Sequence, residues 1–193
     1  MALPPLSWPS VWQDGWYRMA RRVDSPNFGP RPAQVCIDLV VIHSISLPPG
    51  VYGGPEVEQL FTNRLDPSAH PYFEQLRGLE VSAHFFIRRT GEIVQFVSTH
   101  ERAWHAGQSC HGGRENCNDF SIGIELEGTD HEPFTPAQYD ALVTVTQTLF
   151  QRFPALSPQT IVGHSDIAPG RKTDPGPHFD WAHYLERVRR QES

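Results

Sequence analysis

The sequence predicts a single α/β domain with a central, mixed β-sheet flanked by helices. Three observations carry that expectation. Val35 to Ile42 is a nearly unbroken apolar and β-branched run, as in a strand covered on both faces. Phe120 to Glu127 alternates, with Phe120, Ile122, Ile124 and Leu126 on one face and Ser121, Gly123, Glu125 and Glu127 on the other. Helical segments with apolar stripes are interspersed among such strands. At 193 residues the chain is long enough for one domain with a sizeable core.

Along the chain, residues 1–33 are rich in proline and tryptophan without clean periodicity. They read as an extended arm packed on the domain, because Trp8, Trp12 and Trp16 need burial. The strand at 35–42 should deliver His43 at its C-terminal end. Pro55 to Leu65 sets Val57, Leu60, Phe61 and Leu65 on one helical face. Residues 66–80 read as irregular. Val81 to Arg88 and Glu92 to Val97 suggest a hairpin around Thr90-Gly91. The clearest helix starts after Thr135, a candidate N-cap, with Pro136 at the first helical position and Gln138 completing a capping box. Thr160 to Val162 is a short strand leading to Gly163-His164, and a last helix begins at Asp180 with Trp181, Tyr184, Leu185 and Val188 inward.

Bulk properties narrow the function. A net charge of -6 argues against holding nucleic acid by counterion release. No stretch is apolar for long enough to span a bilayer. The N-terminal residues lack the basic start and continuous apolar run of a signal peptide, so a cytoplasmic location is expected. Cys36 is expected within a strand, and Cys110 and Cys117 in a loop; three cysteines without a CxxC pair read as reduced thiols.

The chemistry concentrates in Gly163 to Pro177. Three prolines and three glycines there leave no room for regular structure, and such a loop can aim His164, Lys172 and Asp174 at one point. With His43 from upstream, two histidines and an aspartate make the ligand set of a zinc site with one position open for water, whose pKa such a metal lowers to about 7. Amide hydrolysis also needs a general base and a partner for the developing oxyanion. Glu125 is the candidate base, with Glu127 on the same face as its competitor, and Lys172 is the candidate for the oxyanion. Singly, each residue has a plainer reading. His84, His105 and His178 carry no more weight alone than His43 does, Asp174 before Pro175 could be a turn former, and Cys110, His111 and Cys117 lack the spacing of common zinc motifs.

At these residues the chain resembles the zinc-dependent N-acetylmuramoyl-L-alanine amidases. The likeness rests on Val41-Ile42-His43 with Ile45 to Gly50, on Val81-Ser82-Ala83-His84-Phe85, and on Arg102-Ala103-Trp104-His105-Ala106-Gly107. It continues through Cys117 to Gly128 and from Gly163-His164 to Asp180-Trp181, and so covers nearly the whole chain. It is strongest for the branch that acts on soluble 1,6-anhydromuropeptides in the cytoplasm. The resemblance implies a fold of the amidase and peptidoglycan-recognition type, with one Zn2+ bound by His43, His164 and Asp174. It further implies Glu125 rather than Glu127 as the base, Lys172 as the transition-state contact, and Tyr72 and Trp104 in the substrate groove. Ser44 departs from the asparagine common at that place.

The implied activity is cleavage of the amide between the lactoyl group of 1,6-anhydro-N-acetylmuramic acid and L-alanine of the stem peptide, in peptidoglycan recycling, with an effect on β-lactamase induction. The expected partner is a small soluble muropeptide, with no nucleic acid, membrane or obligate protein partner. The alternatives are an autolysin or endolysin acting on polymeric wall, and a non-catalytic muropeptide-binding module.

Overall fold

The computed structural model describes residues 11–190. Its main sheet has six strands: Arg21–Arg22 (β1), Leu39–Ile45 (β2), Phe85–Ile87 (β3), Ile93–Gln95 (β4), Ser121–Glu127 (β5) and Ile161–Gly163 (β6). Their spatial order is β6-β2-β5-β3-β4-β1. Only the β3–β4 pair is antiparallel, the others being parallel, so the sheet is mixed as expected. The helices are Glu56–Phe61 (α1), Pro136–Arg152 (α2), His164–Ile167 (α3) and Trp181–Arg189 (α4).

Strand alternation sorts the two faces. Val40 and Ile42 of β2 and Ile122, Ile124 and Leu126 of β5 pack with Leu142, Val145 and Leu149 of α2 and Tyr184 and Val188 of α4. Each fully buried side chain of this size contributes about 1.5–3 kcal/mol. The opposite face of the same two strands carries His43 and Glu125. The register makes those two direct neighbours, Glu125 opposite His43. A one-residue slip would send both into the α2–α4 core, so the apolar pattern that builds the core also aims the polar pair.

Helix α2 starts as its sequence indicates. The Thr135 hydroxyl accepts from Gln138 N at 3.1 Å, and the Gln138 side chain accepts from Thr135 N at 3.0 Å. Other boundaries moved. The Val35–Ile42 strand begins later, at Leu39, and runs past His43, which therefore lies inside β2 rather than after it. Cys36 is exposed and precedes the strand. The hairpin at 81–97 is shorter than its apolar run, and residues 66–80 contain two 3-10 turns, Pro67–Ala69 and Pro71–Leu76. All three cysteines are free.

The described part of the arm packs against the sheet and its core. Trp12 and Tyr17 join the core and β1 extends the sheet edge, while Trp8 lies outside the described residues. Arg31 fastens the arm's end, donating to the backbone carbonyls of Asp119 and Ser121, each at 2.9 Å. Burial pulls its pKa down to about 10.

Candidate metal centre and substrate cleft

His43 and His164 reach one point from neighbouring strands. His43 points off β2; His164 opens α3 directly after β6, which pairs with β2. The expectation of no regular structure from 163 to 177 therefore fails at its first turn, before Pro169 ends the helix. Asp174 returns across the loop because Ser165 N donates to Asp174 O at 3.0 Å, closing the segment beside His164. Gly176 sits at φ +82°, and a Cβ there would meet the Asp130 backbone at 2.6 Å, so the return path needs glycine.

The three side chains converge closely. His43 Nδ1 lies 3.0 Å from His164 Nδ1 and 3.2 Å from Asp174 Oδ2, and His164 Nδ1 lies 3.1 Å from Asp174 Oδ2. Ligand atoms about 2.0–2.1 Å from a tetrahedral ion stand about 3.3 Å apart, so the donor set and spacing fit zinc. Among the described residues this is the one group of three or more His, Cys, Asp or Glu side chains that could hold a metal ion. His164 is oriented by the Ala106 carbonyl, which accepts from Nε2 at 3.0 Å and leaves Nδ1 bare.

Burial and neighbours set the protonation states. Burial lowers the His43 pKa to about 4, against the opposing pull of Asp174. For Asp174, burial works upward, but the close His164 and His43 side chains outweigh it and hold the carboxylate below its usual range. Glu125 behaves oppositely: burial, and then the Asp174 charge, push its pKa well above the usual value despite Lys172. Its Oε2 is buried and meets no hydrogen-bond partner among the described residues. An unsatisfied buried carboxylate oxygen with a raised pKa suits a proton acceptor in catalysis.

Strand spacing left Glu125 and Glu127 open, with only the family resemblance favouring Glu125, and their surroundings separate them. Glu127 Oε1 accepts from Gly53 N at 2.6 Å and Oε2 from Arg89 N at 2.9 Å, so both its oxygens are engaged.

A cleft of about 540 Å³ lies over the cluster, lined by Tyr72, Trp104, Glu125, Lys172 and Asp174 among others. That volume is in the range of small-molecule sites. Lys172 is solvent-exposed on its rim, whereas Tyr72 and Trp104 are half-buried walls. Ser44 also lines the cleft. His178 is exposed and is absent from its lining. Sequence reasoning gave no role to Asp130, His131 or Arg171, which line it too. It also gave no role to His105, whose Nδ1 lies 2.9 Å from His43 Nε2. The available signal for His105 was its place in the Arg102-Ala103-Trp104-His105-Ala106-Gly107 stretch that carries part of the family resemblance.

The fold and this site define the class. The chain belongs to the N-acetylmuramoyl-L-alanine amidase family, whose model matches residues 32–177. Within that family it is similar to 1,6-anhydro-N-acetylmuramyl-L-alanine amidase AmpD of Escherichia coli K12, at 54% identity over 179 residues, 93% of this chain and 97% of the relative. AmpD of Enterobacter cloacae is 57% identical over 172 residues, covering 89% of this chain and 91% of the relative. The crystal structure of a selenomethionine AmpD derivative matches with a TM-score of 0.89 at 56% identity, over 91% of this chain and 98% of that one. A more distant match is E. coli AmiD in complex with its substrate anhydro-N-acetylmuramic acid-L-Ala-D-gamma-Glu-L-Lys, at 31% identity and a TM-score of 0.59, covering 81% of this chain and 60% of AmiD. Among the described residues no helix is long and apolar enough to cross a membrane.

Proposed function

We propose that this protein hydrolyses the amide between the lactoyl group of 1,6-anhydro-N-acetylmuramic acid and L-alanine of the stem peptide, as a zinc enzyme of peptidoglycan recycling in the cytoplasm. The observation that carries the reading is the convergence of His43, His164 and Asp174 beside an unsatisfied Glu125, in a chain 54% identical to AmpD. By removing anhydromuropeptides, the enzyme would also keep an inducing signal for β-lactamase low.

His43 and His164 through Nδ1, and Asp174 through Oδ2, would hold the zinc. When bound there, zinc supplies Lewis-acid polarisation of the scissile carbonyl and lowers the pKa of water at the open position. Glu125 takes a proton from the attacking water at Oε2. The water oxygen bonds to the lactoyl carbonyl carbon, and charge develops on the carbonyl oxygen. The Lys172 ammonium, at the cleft rim, neutralises that charge. Glu125 then returns the proton to the alanine nitrogen as the carbon–nitrogen bond breaks, releasing a lactoyl carboxylic acid and a stem peptide with a free amine. The raised Glu125 pKa serves both halves, since a stronger base in the first becomes a competent acid in the second. Tyr72 and Trp104 offer aromatic faces to the sugar or peptide.

The test is incubation of purified, zinc-loaded protein with 1,6-anhydro-N-acetylmuramyl-tripeptide, read by mass spectrometry. Free tripeptide should appear and should be lost with a chelator. Tight binding without release would instead indicate a recognition module. Clearing of intact sacculi in preference to the soluble compound would indicate a wall-degrading amidase.

A further inference from the structure

We infer that His105 and Ser121 form a hydrogen-bonded chain that holds His43 in the tautomer whose Nδ1 is free to bind a cation, which makes His105 a positioning residue for the metal centre. The inference rests on the proposed zinc reading of that centre. The chain begins at an atom with no choice of role. The Cys117 carbonyl oxygen can only accept, and Ser121 Oγ lies 2.6 Å from it, so the hydroxyl proton is committed there. Ser121 Oγ also lies 3.1 Å from His105 Nε2, and the proton in that contact must come from the ring. A neutral imidazole carries one N–H, so His105 Nδ1 is an acceptor. It faces His43 Nε2 at 2.9 Å, which must therefore carry the proton of His43. His43 Nδ1 is left with a bare lone pair, aimed at the point shared with His164 Nδ1 and Asp174 Oδ2.

The surroundings of His105 fit this task. Asn118 Oδ1 accepts from His105 N at 3.1 Å and Ala106 N at 2.8 Å, clamping the segment. Gly123 forms the floor, for a Cβ there would lie 2.3 Å from His105 Cγ. The clamped pair 105–106 thus serves both histidines, His43 through the His105 ring and His164 through the Ala106 carbonyl. A ring that merely filled space would need neither the Ser121 hydroxyl nor a nitrogen facing His43. Outer partners of this kind typically alter metal affinity by about 10- to 100-fold when removed.

The experiment measures zinc affinity of the full chain by chelator competition, without substrate, for wild type, His105→Phe, His105→Asn and Ser121→Ala. His105→Phe keeps the ring's bulk and removes the acceptor, and should weaken zinc binding by about 10- to 100-fold. His105→Asn loses bulk but can place an amide oxygen near the Nδ1 position, and should recover most of that loss. Ser121→Ala should weaken binding less than His105→Phe, and should add nothing in the His105→Phe background. A pure packing role predicts the reverse order, with Phe tolerated better than Asn; that result overturns the inference. Imidazole nitrogen NMR of the wild type gives a second reading that no variant's folding can spoil. His105 should carry its proton on Nε2, and a proton on Nδ1 instead overturns the chain. A wild type that binds zinc and shows this tautomer but cleaves no muropeptide would sink the amidase reading alone. Normal cleavage with unaltered zinc affinity in His105→Phe would sink this inference alone.

Discussion

Two carboxylates on one face of β5, two residues apart, sit in opposite environments. Glu127 is buried inside a collar of backbone from two loops, with Gly53 N and Arg89 N donating to its two oxygens and the Arg88 guanidinium 3.6 Å away. Glu125 is almost as buried, yet its Oε2 meets no donor among the described residues, and its strand neighbour is His43. One group is spent on holding the structure, and the other is left unsatisfied where chemistry can use it. Burial does not distinguish structural from reactive acids; the hydrogen-bond ledger of each oxygen does.

The sharpest way to break this contrast is to substitute both. Glu125→Gln should lower turnover by about 10²- to 10⁴-fold while zinc content and thermal stability hold, because it removes only the proton acceptor. Steady-state kinetics beside metal analysis will show it. Turnover within a few-fold of wild type would move the base elsewhere, first to Glu127. Lys172→Ala tests the electrostatic half of the cleft. It should reduce kcat by about 10²- to 10³-fold, with a smaller change in KM, as for a contact made mainly in the transition state. An unchanged kcat takes Lys172 out of the mechanism.

Glu127→Gln should do the opposite of Glu125→Gln. Activity per folded molecule should persist, while stability falls by about 1–3 kcal/mol as charge-assisted hydrogen bonds are weakened. Denaturant melts give the value, and an unchanged midpoint would mean the collar contributes little. The last contrast concerns His84, another buried titratable group with both ring nitrogens engaged. Its Nδ1 accepts from Gly123 N at 3.1 Å and its Nε2 donates to the Glu101 carbonyl at 3.0 Å. Burial, followed by the Arg31 charge, lowers its pKa from 6.5 to about 3. The folded state therefore holds His84 neutral where the unfolded chain would protonate it. The stability this gives is complete above pH 6.5 and is lost as pH falls from 6.5 toward 3, by at most about 1.4 kcal/mol per pH unit. In zinc-loaded protein, His84→Gln should flatten that decline. An equally steep decline would assign it to other groups.

The same contrast explains what the sequence could reveal. The capping box of α2 was legible because Thr135, Pro136 and Gln138 are local signals whose partners lie within one helical turn. The face shared by Glu125 and Glu127 was legible from period-two alternation. Their difference was not, because Gly53 and Arg89 arrive from segments far apart in the chain. His43 was found as a ligand candidate but misplaced relative to its strand, since an apolar run marks burial and not the ladder's end. The pairing of His43 with Glu125 depends on the β2–β5 register, which no local pattern encodes. His105 stayed hidden because its role depends on a serine and a carbonyl sixteen and twelve residues downstream.

The central claim is that His43, His164 and Asp174 together hold the zinc on which amide cleavage depends. Zinc content and stem-peptide release from 1,6-anhydro-N-acetylmuramyl-tripeptide, measured on the same samples of wild type and Asp174→Ala, test it most directly. The account expects one zinc per chain and ready release in the wild type, and loss of both in Asp174→Ala with the fold retained. An Asp174→Ala protein that still carries one zinc per chain and releases peptide at the wild-type rate would contradict it.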